Sequence, residues 1–331
     1  MSAIFPEFEP HWLVRSSHAQ TLTAAFLPRR FDLPPAENRL FRVDAETQLL
    51  ALCHWQPRSS KNAPVMVVVH GLEGSSDSSY VLGIAEKAFH RGFHVLRTNQ
   101  RNCGGSEQLT PTLYNSAMSA DYRAVLEELA NVDRFERIFF VGYSMGGNLV
   151  TKMAGEYGAQ FPSALRGVCV VCPSLDLAAC ADALERRENY FYQRHFVTGL
   201  LERYARKHSL FPQRYRKDGF GPIRTVREFD EAIIAPQFGY RDADDYYEQA
   251  SAKRVIADVR VPMLLITAED DPFVPYVSFL AARISENPAI RFVVTRHGGH
   301  CAFISRRAGA ERFWAELRVV EFCEEILKNK D

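Results

Sequence analysis

The sequence predicts an α/β fold in which a mostly parallel sheet carries helices on both faces. Short apolar runs rich in β-branched residues alternate with amphipathic segments, as in PVMVVVH (64–70) followed by SYVLGIAEKAFHRG (79–92). Such runs, without polar alternation, are typical of strands buried on both faces. A hydrophobic content of 47% over 331 residues is ample for one large core.

The expected elements follow one another in a regular order. A hairpin is predicted in 40–55, and later strands in 93–99, 137–143, 167–173, 262–268 and 291–297. Helices are predicted in 119–132 and 145–158, from about 274 to 284, and from about 307 to 327. Because strands and helices alternate, the strands are expected to run parallel.

Residues 174–250 interrupt this alternation. They are rich in Arg, Tyr and Phe, and we expect a helical lid over the carboxyl ends of the strands. An arm packed on the side of the domain is the alternative. Residues 1–173 would then hold an N-terminal arm and the first part of the core, and residues 251–331 the rest.

Composition narrows the class of protein. Lys plus Arg and Asp plus Glu number 40 each, so the net charge is zero and no nucleic-acid partner is expected. The seven cysteines have no framework spacing, which favours reduced thiols. The N-terminus lacks the pattern of a signal peptide, and no run reaches about 18 apolar residues. We therefore expect a cytoplasmic protein without membrane insertion.

Ser144 stands in a G-x-S-x-G pattern between the predicted strand RIFFVG and the predicted helix MGGNLVTKMAG. Chemistry at such a serine requires a sharp turn that pushes the hydroxyl out of the sheet, and the crowding there requires small residues. Gly142 and Gly146 meet that need. The positive end of the helix dipole would also lie near the oxygen on which negative charge develops during the reaction. The pattern predicts a nucleophile, with a structural glycine-rich turn as the alternative.

A serine nucleophile requires a base and an orienting acid, which follow it here in the order acid, then histidine. Glu269, Asp270 and Asp271 come after the strand PMLLITA, and His300 lies in a glycine-flanked loop after the strand RFVVTRH. The turn beside Pro272 favours Asp271 as the acid. We expect the Asp270 side chain to cap the turn or the following helix.

Other patterns in the chain have simpler interpretations. His297 ends a strand, where a structural histidine is common, and the HGGH stretch has no adjacent acidic cluster, so no metal is expected. Cys169 and Cys172 form CxxC within an apolar strand, where residues i and i+3 point to opposite faces. They are expected to be two core thiols.

Two backbone N–H groups and four aromatic side chains complete the predicted site. The oxyanion requires two donors, expected from Met145 and from Leu72 in the HGLEG loop. The aromatic residues of the insertion are expected to line the substrate pocket, while its arginines stay solvated. The pocket residues are Tyr190, Phe191, Tyr192 and Phe196.

These features together resemble the α/β-hydrolase superfamily, and within it the YheT-like branch that also contains animal membrane-anchored lipases and esterases. The segments that carry the resemblance span nearly the whole chain: HAQT (18–21), HGLEG (70–74), RNCGGS (101–106), GYSMGGN (142–148), DADDYYEQAS (242–251), DDPFVP (270–275) and HGGH (297–300). The resemblance implies Ser144 as nucleophile, Asp271 as acid and His300 as base. It also implies that 242–251 packs beside the core sheet.

Two departures from the branch are visible. The branch's HLQT is HAQT here, and the transmembrane helix of the animal members is absent, so a cytoplasmic esterase is favoured over a membrane lipase.

The sequence thus predicts a serine hydrolase that cleaves short- to medium-chain or lipid-like carboxylic esters through an acyl-enzyme. Its partner is a small-molecule ester, and no cofactor is expected. An acyltransferase with the same triad and a non-catalytic binding protein on this fold are the alternatives. Because unperturbed histidine titrates near pH ~6.5, turnover is expected to rise between roughly pH 6 and 7.5.

Overall fold

The computed structural model describes residues 5–57, 62–216, 219 and 221–328. These residues form one sheet of eight strands: β1 (Glu37–Arg42), β2 (Gln48–His54), β3 (Val65–Val69), β4 (His94–Thr98), β5 (Ile138–Tyr143), β6 (Leu165–Val171), β7 (Met263–Ala268) and β8 (Ile290–Thr295). The strand order is β1-β2-β4-β3-β5-β6-β7-β8. β1 and β2 pair antiparallel with their neighbours, and the other six strands run parallel.

The α-helices among the described residues are α1 (Ser17–Phe26), α2 (Ser79–His90), α3 (Ser119–Asn131), α4 (Met145–Tyr157), α5 (Leu177–Leu184), α6 (Tyr190–Leu210), α7 (Val226–Phe229), α8 (Ala235–Phe238), α9 (Ala243–Ala250), α10 (Val277–Ala281) and α11 (Trp314–Lys328). A π-helical turn, Asp230–Ile234, joins α7 to α8. Within the described ranges, no helix has the length and apolar character needed to cross a membrane.

The central strands are buried on both faces because their side chains alternate between two cores. Val65, Val67 and Val69 of β3 pack in the cluster that includes side chains of α3 and α4. Met66 and Val68 pack in the cluster that includes side chains of α2 and α11. The period-two pleat thus supplies apolar groups to both layers of helices. The predicted α/β class, with helices on both faces of a mostly parallel sheet, is confirmed.

The hairpin predicted in 40–55 is the β1–β2 pair, but three helices differ from expectation. The helix expected from about 274 to 284 is reduced to α10, which ends before Arg283 adopts a φ of 51°. The helix expected from about 307 begins at Trp314, because Ile304 and Phe313 first form a β-bridge. α1 was not predicted. It begins where the Ser16 hydroxyl accepts the Ala19 N–H at 3.2 Å.

The segment 174–250, here called the insertion, leaves the sheet after β6 and holds α5 to α9. Its apolar side chains form a separate cluster that also includes Tyr114 and Met145 of the core. Asn148 of α4 ties the end of the insertion to the core, since its side chain donates to the Ala250 carbonyl and accepts the Ala252 N–H. The insertion is therefore helical, while the division of the chain into three parts stays a prediction.

Candidate active site

Ser144 lies at the turn from β5 into α4 with φ 53° and ψ −120°, a conformation that L-residues rarely adopt. The backbone around it is crowded. A Cβ on Gly142 would lie 2.4 Å from the Gly146 carbonyl oxygen, and a Cβ on Gly146 would lie 2.4 Å from the Val69 carbonyl oxygen. Both glycines of the motif are therefore required sterically. This is the crowding that the sequence pattern predicts.

His300 and Asp271 are in direct contact. His300 Nδ1 lies 2.8 Å from Asp271 Oδ2, and the Asp271 side chain has no exposed surface. The other carboxylate oxygen of Asp271 accepts the N–H groups of Phe273 and Val274, at 3.0 and 2.9 Å. Burial opposes the charged form of the imidazole, but the Asp271 carboxylate and the neighbouring Cys301 together outweigh it, so the pKa of His300 is raised above its usual value.

The other two acids of the cluster lie elsewhere. Asp270 accepts the Gly299 N–H at 2.9 Å, and its second oxygen lies 3.4 Å from His297 Nδ1. Glu269 is exposed. The prediction that Asp270 caps the turn is wrong, because the N–H groups of that turn bond to Asp271 instead. Asp270 supports the loop that carries His300.

The loop after β3 is held rigidly next to Ser144. Buried His70 accepts the Gln100 N–H at Nε2 and bonds the Gly71 carbonyl through Nδ1 at 2.7 Å. Burial lowers the pKa of His70 to about 4, so the ring is neutral and suits both bonds. Within the described part of the chain, the Leu72 and Met145 N–H groups have no hydrogen-bond acceptor. Both residues line the same cavity as Ser144.

A cavity of about 590 Å³ contains Ser144 and His300 in its lining. Its walls are mostly apolar and come from α1, the core and the insertion. The aliphatic and aromatic residues that α1 and the insertion contribute include Leu22, Phe26, Leu177, Leu184, Leu200, Phe229 and Ile234. Phe191, Tyr192 and Phe196 also line it, as predicted.

Tyr190 does not line the cavity. Its helix presents the pairs 191/195 and 192/196, four residues apart, to that side, and Tyr190 is 56% exposed.

The insertion is joined to the loop after β3 by a buried ion pair. Arg203 of α6 donates to both carboxylate oxygens of Glu73 at 3.1 Å, and the Tyr114 hydroxyl donates to Glu73 Oε1 at 2.7 Å. The arginine and glutamate side chains are only 7% and 10% exposed. A Cβ on Gly199 would lie 2.3 Å from Glu73 Oε2, so a larger residue there would displace the glutamate from its present position. The expectation that all arginines of the insertion are solvated is wrong for Arg203.

Several groups near the site were not predicted. The Thr21 hydroxyl of α1 accepts the His300 N–H at 2.9 Å and so helps to fix the loop of the histidine. The HAQT motif, which ends at Thr21, was the available signal. Asp230 lies in the cavity wall, where burial raises its pKa to about 7. Cys172 and Cys301 meet beside His300, although 129 residues separate them and no sequence pattern pairs them.

Comparisons with known proteins identify the family of the chain. The family model described as alpha/beta hydrolase fold matches residues 64–306. YheT of Escherichia coli (strain K12) is 30% identical over 326 residues, covering 98% of this chain and 95% of the relative. Phospholipase ABHD3 of Mus musculus is 31% identical over 297 residues, covering 87% and 71%.

A solved structure, Est1E from Butyrivibrio proteoclasticus, shares the fold. Its TM-score is 0.56 at 15% identity, and the match covers 89% of this chain and all of the other. Three findings point to the same family: the order of the strands in the sheet, the serine on a strained turn after β5, and the family match over residues 64–306. The chain belongs to the α/β-hydrolase fold family, in the YheT-like branch.

Proposed function

We propose that this protein hydrolyses carboxylic esters through an acyl-enzyme formed on Ser144. The observation that carries the proposal is the position of Ser144, which lies on a strained turn in an apolar cavity also lined by His300. The contact between His300 and buried Asp271 supports the assignment of base and acid. The relative named as a phospholipase supports carboxylic ester chemistry in this branch.

In the proposed mechanism, Ser144 Oγ attacks the acyl carbon while His300 takes its proton. Asp271 stabilises the imidazolium that forms and keeps the ring oriented. The N–H groups of Leu72 and Met145 donate to the oxyanion. Their lack of other acceptors supports this role. His300 then protonates the leaving alcohol, and water repeats the sequence to release the acid.

The cavity indicates the class of ester. Its volume falls within the usual range of small-molecule sites, and aliphatic and aromatic side chains form most of its walls. We infer that an acyl chain of short to medium length, or an apolar alcohol group of similar size, fills it. Phe191, Tyr192 and Phe196 contact that part of the substrate.

A fluorophosphonate probe and a chain-length series of aryl esters test this function. Wild-type protein should be labelled at Ser144 and should cleave the esters, and Ser144→Ala should lower turnover by roughly 10⁴- to 10⁶-fold. Ser174→Ala is the matched control, because Ser174 lines the same cavity. A Ser144→Ala protein that keeps more than about a tenth of wild-type turnover would remove Ser144 from the mechanism. Product analysis with added alcohols separates hydrolysis from acyl transfer.

A further inference from the structure

Two thiols and the imidazole of His300 converge at one side of the cavity. One potential ligand atom each from Cys172, His300 and Cys301 lies within 4.8 Å of the other two. Cys172 follows β6 at a φ of 45°, and Cys301 follows His300 at a φ of 59°. Both residues thus follow directly on the end of an element of the site, Cys172 after β6 and Cys301 after the base. The ester chemistry described above uses neither thiol.

This set has the composition of a soft-metal site. Two cysteine sulfurs and one imidazole nitrogen are ligands that Zn²⁺ prefers, with three protein ligands and one open position. Tetrahedral zinc needs ligand atoms roughly 3.5 to 3.8 Å apart, as its bond lengths of about 2.0 to 2.3 Å require. The site therefore requires the three ligand atoms to move closer together when the ion binds.

The surroundings of the three ligands also suit a metal. The carboxylate of Asp271 lies 2.8 Å from His300 Nδ1, which is the arrangement that orients a metal-binding histidine in carboxylate–histidine–zinc sites. The Cys301 N–H donates to Cys172 Sγ at 3.4 Å, a bond that favours the thiolate, whereas burial raises the pKa of this thiol, so the metal itself must displace the proton. His300 and Cys301 line the cavity, so two of the three ligands face it, and buried Cys172 lies behind them.

We propose that Cys172, Cys301 and His300 form an inhibitory site for Zn²⁺ or a similarly soft divalent ion. Binding releases the thiol protons and occupies an imidazole nitrogen. Because Nδ1 bonds Asp271, Nε2 is the nitrogen left for the metal, and in the proposed ester mechanism Nε2 serves Ser144, so a bound metal stops proton transfer. The inhibitory part of this inference rests on the proposed function, whereas the binding part does not.

The experiment separates binding from inhibition. Co²⁺ is added to reduced, metal-free protein, and thiolate-to-cobalt charge-transfer absorption is recorded for the wild type and for Ser144→Ala. Zn²⁺ affinity is then measured by competition against cobalt. Both proteins should give the absorption with one ion per chain, and Zn²⁺ should abolish ester cleavage by the wild type until a chelator restores it.

Variants identify the ligands. Cys172→Ser and Cys301→Ser should each weaken Zn²⁺ binding by at least about 10- to 100-fold. Loss of an outer-shell partner has an effect of that size, and a direct ligand should matter no less. Cys180→Ser is the matched control, because its thiol lines the same cavity outside the cluster, and it should bind zinc as the wild type does. Melting temperatures establish that each variant is folded.

No charge-transfer band in the wild type, or unchanged zinc affinity in both ligand variants, would overturn the site. A band accompanied by full ester turnover would overturn the inhibition and the role of His300 together. A band in Ser144→Ala supports the site even if no ester is cleaved by the wild type, so failure of the proposed function is recognised separately.

Discussion

Replacing Asp271 with asparagine exchanges one oxygen for an NH₂ group and keeps the shape of the side chain. The structure fixes the orientation of that new side chain. The amide oxygen takes the place of Oδ1, because the N–H groups of Phe273 and Val274 both require an acceptor there. The NH₂ group then points at His300 Nδ1, where Oδ2 now lies at 2.8 Å.

The consequence is the wrong tautomer of the base. His300 Nδ1 must accept from the amide, so the ring proton moves to Nε2, which can no longer take the proton of Ser144. The imidazolium also loses its buried counter-charge. We expect a loss of about 10⁴-fold in turnover, which corresponds to roughly 5 kcal/mol of transition-state free energy. Stability should fall by no more than about 1 kcal/mol, since both backbone bonds to the turn remain.

The assay is a paired comparison of kcat and melting temperature for Asp271→Asn and Asp270→Asn. The second variant is the control, because an amide oxygen at position 270 can still accept the Gly299 N–H. It should keep most of the turnover. An inactive Asp270→Asn beside an active Asp271→Asn would show that the acid has been assigned one residue too late.

The remaining predictions concern pH, the buried ion pair and the turn. Because the pKa of His300 is raised and only the neutral ring accepts a proton, kcat/KM should rise with pH through a midpoint above pH ~6.5; a midpoint below pH ~6 in a pH-rate profile contradicts this. Arg203→Met leaves Glu73 buried without its cation, so urea unfolding should show a loss of about 3–5 kcal/mol, partly recovered when Glu73→Gln is added. An effect below about 1 kcal/mol would mean that solvent already reaches the pair. Gly146→Ala should lower kcat and melting temperature, because the new Cβ meets backbone oxygens at 2.4 and 2.5 Å. Gly221→Ala is the control and should change neither, because the space around Gly221 is open. Equal behaviour of the two variants would refute the steric argument.

The succession of strands and helices in the core, and the contact between Asp271 and His300, could be predicted from the sequence for one physical reason. Parallel strands end at the same edge of the sheet, so residues that directly follow them are brought together whatever their separation along the chain. Asp271 and His300 follow β7 and β8, which are neighbours in register. Local patterns therefore sufficed to place groups 29 residues apart.

Contacts that depend on the path of the insertion were not accessible in this way. Arg203 and Glu73 are 130 residues apart, and although Glu73 lies in the loop after β3, Arg203 lies on α6 within the insertion, away from any strand end. The surface of α6 that faces the cavity follows from packing against the core, which is why Tyr190 was wrongly included. The pH expectation also changes, because contacts with Asp271 and Cys301 raise the pKa of buried His300 and so shift the predicted midpoint upward.

The ion pair between Glu73 and Arg203 fastens α6 to the loop after β3, beside the cavity. Moving α6 away from the core would separate two buried charges, at a cost of several kcal/mol, and would deprive Tyr114 of its partner. We therefore expect α6 to keep its position when a small molecule enters the cavity. Phe26 of α1 and Phe191 of α6 line the cavity and are 77% and 80% exposed, so both side chains also face solvent.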